Sequence, residues 1–289
     1  MNKLQYTFKT DTLFKMLFVK HPDLLEKLIS ALLGIPLESI EQLIIRNEEI
    51  APENLGDKFC RLDINMMVNG QLVDLEVQVA NEGDYPERVM LYWAKEFSSA
   101  LPAGQSYTML PRTIIISIID FDLFDCAEFH SFFQPLETTR HTLLSDKMGF
   151  HFFELGKLPD AVNEKDALLL WLALFKAETE EDLEKIKGMG VPTMNQAINA
   201  YYTITASSEF REVERLREKA RHDEAQALYH ARQEGKEEGR QEGRQEGIAE
   251  GKIEIAQNLL KINLPINQIA IATGLTVKEV ERLCIEKGQ

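Results

Sequence analysis

RLDINMMVNGQLVDLEVQ, residues Arg61 to Gln78, switches the hydropathy pattern to a period of two and carries Asn69-Gly70 at its centre. A type I′ turn needs positive φ at both central positions, which asparagine and glycine tolerate, so this dipeptide is a strong hairpin signal. With Asn69 and Gly70 as the turn, Val68 pairs with Gln71, and each step back along one strand matches a step forward along the other. Asp63 then lies directly opposite Glu76. Alternation places Leu62, Ile64, Met66 and Val68 on one face with Val73, Leu75, Val77 and Val79, and Arg61, Asp63 and Asn65 on the other with Asp74, Glu76 and Gln78. One face is core and the other is polar.

Carboxylates directly across a ladder stand about 4.5–5.5 Å apart at Cβ, a destabilising arrangement unless a positive charge lies between them. A hard divalent cation resolves the conflict. Mg²⁺ is typically held by one or two carboxylates and keeps water and phosphate oxygens as its other ligands, which lets it activate water and stabilise charge on a phosphate. Gln78 lies on the same face, two residues beyond Glu76, within reach of an attacking water or a phosphate oxygen. The competing reading is the solvent-facing side of an ordinary hairpin, with Arg61 neutralising the pair. A one-residue bulge would break the register.

Upstream, Phe14 to Leu33 shows helical spacing, starts after Thr10-Asp11 and ends near Gly34-Ile35-Pro36, which predicts an opening helical layer. Downstream come an amphipathic helix opening at Pro86, a loop with Pro102 and Gly104, a β-branched run Thr113–Ile119 and a short strand His151–Leu155. Helix, hairpin, helix and strand in this order describe an α/β or α+β core. Beyond Pro159 helical patterns dominate, with Asp166–Ala177 reading as a buried helix. The expected organisation is a core over 1–158, a helical region over 159–233, a glycine and charge repeat over 234–252, as helix or linker, and a small helical module over 253–289.

The chain has 289 residues and a formal net charge of −15. That charge argues against nucleic-acid binding through overall positive charge, so a contact with DNA needs a local basic patch or a bound cation. Glu209 to the end is nearly balanced, which leaves the acidic excess in the first two thirds. No apolar run reaches the roughly 18–20 residues that span a bilayer, and Met1–Thr10 has no signal-peptide core, so a cytoplasmic protein is expected. Cys60, Cys126 and Cys284 are scattered and odd in number, which disfavours a disulfide scaffold or a zinc cluster. His21, His130, His141, His151, His222 and His230 form no metal-ligand spacing. The absence of a P-loop, Gly-x-Gly-x-x-Gly or Gly-x-Ser-x-Gly leaves nucleotide-driven and triad chemistries without support.

Several segments together resemble a known family: Asp11-Thr12-Leu13-Phe14-Lys15-Met16-Leu17-Phe18, then Arg61-Leu62-Asp63-Ile64 and Val73-Asp74-Leu75-Glu76-Val77-Gln78, then Arg88 with Tyr92 before Gly104 and Tyr107. They are similar to the recombination-promoting nuclease/transposase family of the PD-(D/E)XK nuclease superfamily, over roughly Thr7 to Leu155. The charged glycine-rich tail is also typical of it. The resemblance implies an α/β nuclease-like core, a mixed sheet flanked by helices with a helical C-terminal extension. It also implies Mg²⁺-dependent cleavage of DNA phosphodiesters, with Mn²⁺ or Ca²⁺ as other divalent ions. Asp63 matches the first metal-binding carboxylate and Glu76 the second, while Gln78 stands where the superfamily usually has lysine. A neutral amide orients by hydrogen bonding but supplies no charge, which implies a slow enzyme or one helped by another cation such as Lys15.

Asp11 and Lys15 are spaced as an i,i+4 pair, or one of them extends towards the metal site. Arg88, Tyr92 and Lys95 share a helix face opposite Val89, Trp93 and Phe97, either as a DNA-backbone contact or as a solvated surface. Gly235, Gly239, Gly243, Gly247 and Gly251 recur every fourth residue, as a stripe for a self-associating helix pair or as a flexible spacer. Ile266–Ala272, Thr273-Gly274 and a Thr276-x-x-Glu279 capping box read as two short helices, half of a helix-turn-helix. The functional expectation is a Mg²⁺-dependent DNA endonuclease that promotes recombination and forms a homo-oligomer through its tail, with no membrane or nucleotide cofactor. The alternative is a catalytically inactive nuclease fold that binds DNA or protein. A transcription regulator ranks third.

Overall fold

The structure, a computed structural model, describes residues 2–46 and 64–285, apart from the side chains of Glu224 and Ile285. Helices α1 (Asp11–Lys20) and α2 (Pro22–Leu33) divide the stretch that spacing marks as one helical layer. The break lies at Pro22, which pushes the preceding residue out of the helical region, and His21 has φ −129° and ψ 71°. Pro22 itself occupies the first turn of α2, where its missing N–H is harmless. Gly34 ends α2 in the left-handed conformation at φ 65°.

Strands β1 (Leu43–Ile45), β2 (Ile64–Val68) and β3 (Gln71–Gln78) follow, then α3 (Tyr85–Ser99), β4 (Thr113–Ile119), β5 (His130–Phe133) and β6 (Met148–Glu154). Among the described residues they form a six-stranded mixed sheet ordered β1-β2-β3-β4-β6-β5. The central β3/β4 and β4/β6 pairs are parallel, while β1/β2, β2/β3 and β5/β6 are antiparallel. Helix α3 is the crossover that the parallel β3/β4 pair requires.

The two sheet faces are covered differently. Ile64, Met66, Val73, Leu75, Ile114, Ile116 and Phe153 join one apolar cluster with Phe14, Leu17 and Phe18 of α1 and Leu25 and Leu28 of α2. The same cluster takes in α4 (Ala167–Lys176), α5 (Glu180–Gly188), α6 (Pro192–Thr205) and Phe210 in the first turn of α7 (Ser208–Lys261). The other face carries Ile115, Ile119, Phe150 and Phe152, packed under Tyr85 and Val89 of α3.

Two compact units, 1–218 and 219–289, divide the chain. In the second, the remainder of α7, α8 (Ile266–Thr273) and α9 (Val277–Ile285) enclose a small core around Ala256, Ile269 and Val280. Gly274 turns the chain at φ 70°, and the capping box forms in both directions: the Thr276 N–H donates to Glu279 Oε2 at 2.7 Å and the Glu279 N–H to Thr276 Oγ1 at 3.3 Å. The repeat glycines are helical, and a β-carbon added at any of them meets no atom within 4 Å. No helix among the described residues is long and apolar enough to cross a membrane. The result is an α/β architecture of a mixed sheet flanked by helices, with a helical C-terminal segment, as the resemblance implies.

Candidate active site

The hairpin adopts the register that its turn dictates. Asn69 and Gly70 have φ 49° and 77°, and the ladder runs from Val68↔Gln71 to Ile64↔Leu75. Asp63, Leu62 and Arg61 lie outside the described residues, so the expected Asp63–Glu76 pairing lies there too. The polar face is not a solvated one, which corrects that alternative for the residues described: Asn65, Asp74 and Glu76 are 5%, 0% and 6% exposed. Helix α3 provides the cover. Val79, assigned by alternation to the core face, is 53% exposed, because β3 ends at Gln78 and the side-chain alternation ends with it.

Burial sets the electrostatics of this face. It pushes the Glu76 carboxyl up to about 7, against the opposing pull of the Arg88 charge and of a hydrogen bond from the Tyr85 hydroxyl. That hydroxyl donates to Glu76 Oε2 over a long 3.4 Å. Asp74 is also driven well above the usual carboxylate range, first by burial and then by Glu96, with the Asn65 amide opposing. The Asn65 amide donates to Asp74 Oδ1, while Asp74 Oδ2 has no hydrogen-bond partner among the described residues. Both carboxyls are thus shifted upwards, Glu76 to about 7 and Asp74 well above its ordinary range.

Three residues that the sequence reading did not single out complete the surroundings. Tyr85 is almost fully buried, and its ring carries the Arg88 guanidinium 5.0 Å from the centroid. Ser117 lies in register with Glu76 on β4, fully buried, its hydroxyl without a partner among the described residues. Its sequence signal was a lone serine inside a run of isoleucines. Lys9 is buried, with Nζ 2.5 Å from Asp120 Oδ2 and 3.5 Å from Glu178 Oε1. The Asp120 N–H donates to the Gln78 carbonyl at 2.9 Å, so this ion pair anchors the end of β3.

The sequence-derived candidates are distributed as follows. The Gln78 amide turns back to donate to the Ala80 carbonyl at 2.9 Å. Arg88 lies beside Tyr85 at the edge of the buried stripe of α3, with Nη1 3.5 Å from Glu82. Tyr92 is half-buried and Lys95 exposed on the same helix. On α1, Lys15 is half-buried, and Asp11 has Oδ2 3.8 Å from Arg217 Nη1. Among the described residues no hydrogen bond or ion pair joins Asp11 to Glu76 or Gln78. His151 does enter the sheet, but on the face opposite Glu76: it is in register with Ile116 and stacks on Phe132 and His130.

A carboxylate oxygen on a rigid strand is the donor chemistry that Mg²⁺ takes. Glu76 fits that description, although no group of three or more His, Cys, Asp or Glu among the described residues is arranged to hold a metal. The family model described as PD-(D/E)XK nuclease family transposase matches residues 8–231. No curated protein and no solved structure matches the chain significantly.

Proposed function

Because the chain belongs to the PD-(D/E)XK nuclease family transposases, we propose that it is a divalent-cation-dependent DNA endonuclease that hydrolyses phosphodiester bonds and promotes DNA recombination. Asp63 and Glu76 hold the cation, Mg²⁺ in the first instance. When bound, it supplies a Lewis acid for the phosphate and lowers the pKa of a coordinated water. The chain's own residues do the rest. Tyr85 fixes the orientation of the Glu76 carboxyl, Gln78 orients water or a phosphate oxygen by hydrogen bonding, and α3 excludes solvent from the polar face. Lys95 and Tyr92 lie along the DNA path, where phosphate contacts position the duplex. Lys15 and Asp11 complete the sequence-derived set from α1.

The observation that carries this reading is Glu76 itself. A carboxyl buried on the central strand without a full charge partner opposes folding, and a bound cation offsets that penalty. The tail is read as the self-association element, because the glycines of α7 leave a stripe that another helix can approach closely and no atom fills it.

Nicking of supercoiled plasmid tests the proposal. Wild-type protein is expected to nick with Mg²⁺ or Mn²⁺ and not with EDTA, and Asp63→Ala and Glu76→Ala are expected to lose at least about 100-fold. Equal activity in all these samples overturns it.

A further inference from the structure

Gln78 leaves the proposed site without the point charge that a lysine in its place would bring, so the charge that builds on the phosphate during hydrolysis must be met from elsewhere. Two lysines with little exposed side chain are already engaged. Lys9 is held 2.5 Å from Asp120, and Lys157 lies 2.9 Å from the fully buried Glu154. Arg88 differs. Among the described residues its buried Nε–H has no acceptor and its one ion pair, from Nη1 to the exposed Glu82, is long at 3.5 Å. A buried donor left unmatched opposes folding by about 1–3 kcal/mol. A guanidinium on a solvated helix face would not carry that penalty.

The geometry around it is ordered. Arg88 stacks over the Tyr85 ring at 5.0 Å, and the hydroxyl of the same tyrosine donates to Glu76. One buried aromatic thus fixes both the carboxyl and the guanidinium. Arginine is suited to this position, because its planar fork presents parallel donors that match phosphate oxygens.

Resting on the nuclease reading, we propose that Arg88 is a catalytic residue: its Nε–H donates to a non-bridging oxygen of the scissile phosphate and replaces the charge missing at Gln78, with Tyr85 as its positioning residue. In the step, the water oxygen forms the new bond to phosphorus and the bond to the leaving oxygen breaks. The attacking water releases a proton to solvent, and the leaving oxygen collects one from it. Arg88 stays protonated throughout and neither gives nor takes a proton.

The test separates this role from simple grip on the DNA backbone. Single-turnover cleavage of a labelled duplex at saturating DNA is measured beside affinity by fluorescence anisotropy in Ca²⁺. Arg88→Ala is expected to lower the cleavage rate about 100-fold and to change affinity little. Arg88→Lys keeps the charge without the fork and is expected to fall in between, and Tyr85→Leu, which removes the ring under the guanidinium, to lose about tenfold. The decisive arm is Gln78→Lys in the Arg88→Ala background, which regains at least about tenfold if position 78 and Arg88 serve the same charge. Circular dichroism confirms that each variant is folded. An Arg88→Ala protein that loses affinity but cleaves at the wild-type rate when saturated, or a folded double variant with no recovery, overturns the assignment while the nuclease reading stands. A wild-type protein inert with both Mg²⁺ and Mn²⁺ overturns both.

Discussion

Leu75 and Glu76 are adjacent on β3 and face two differently built halves of the molecule. Leu75 points into the large cluster formed with α1, α2 and α4–α6, where almost every side chain is apolar and fully buried. Glu76 points under α3, onto a face that also buries Asp74, Asn65 and Ser117 beside a much smaller apolar cluster. Apolar burial stabilises by about 1.5–3 kcal/mol per large side chain, whereas buried polar groups oppose folding unless fully partnered. The first face therefore holds the fold together and the second draws on that stability. Such a division is the usual signature of a site where environment is shaped for chemistry.

The largest expected effect opposes the two neighbours directly. Leu75→Ala is expected to destabilise by about 3 kcal/mol in urea unfolding with little change in residual cleavage per folded molecule. Glu76→Ala reverses the pattern, with stability retained or raised and nicking lost. If both variants lose stability equally, the two faces are not distinct in the sense argued.

A second prediction sharpens the account of the apolar face, where His151 is the conspicuous polar member. Burial first, then His130 and Arg112, lower its imidazole from the usual 6.5 to about 4. The native ring is thus neutral, and the unfolded ring takes up a proton below pH 6.5. Stability is fully present above that pH and falls as pH drops towards 4, by up to about 3 kcal/mol. His151→Phe should flatten this part of the stability–pH curve, and an unchanged slope would show that the loss comes from other groups.

A smaller change of opposite sign is expected across the sheet. Asp74→Asn keeps the shape and removes an ionisable group that burial, Glu96 and Glu76 all oppose, so the thermal midpoint should rise, by about 1 kcal/mol equivalent. A fall would mean that the Asp74 carboxyl has a partner the asparagine cannot replace. The smallest effect lies outside both faces. Gly243→Ala meets no atom within 4 Å and is expected to strengthen α7 by just under 1 kcal/mol in dilute protein. If the glycine stripe closes a helix pair, the same change weakens self-association in sedimentation.

The hairpin and its register were legible in the sequence because a two-residue turn fixes the pairing by counting, and β4 because a run of isoleucines leaves few alternatives. What covers a face is not written in alternation, so the polar side of β2 and β3 could be read as solvated until α3 was seen above it. The short edge strands β1 and β5, of 3 and 4 residues, are too brief to show a period. Lys9 and Asp120 lie 111 positions apart, and nothing local to either announces the pair. Tyr85 lay one residue before the proline that marked the helix start, and its role emerges only when its hydroxyl reaches Glu76. Pro22 is itself a break signal, but the apolar spacing continues through it and masks the division into α1 and α2.

The amino-terminal segment has one more consequence. The Leu4 N–H donates to the Glu178 carbonyl at 2.8 Å, Phe8 stacks on Tyr201, and Phe18 lies against Trp171. Residues 4–18 thus wait for partners made more than 150 residues later, a long-range closure of the kind that slows folding. Strand β3 is complete well before that point, yet the layer that buttresses it is not. A chain that stops short of α6 therefore exposes apolar surface on the layer that backs β3.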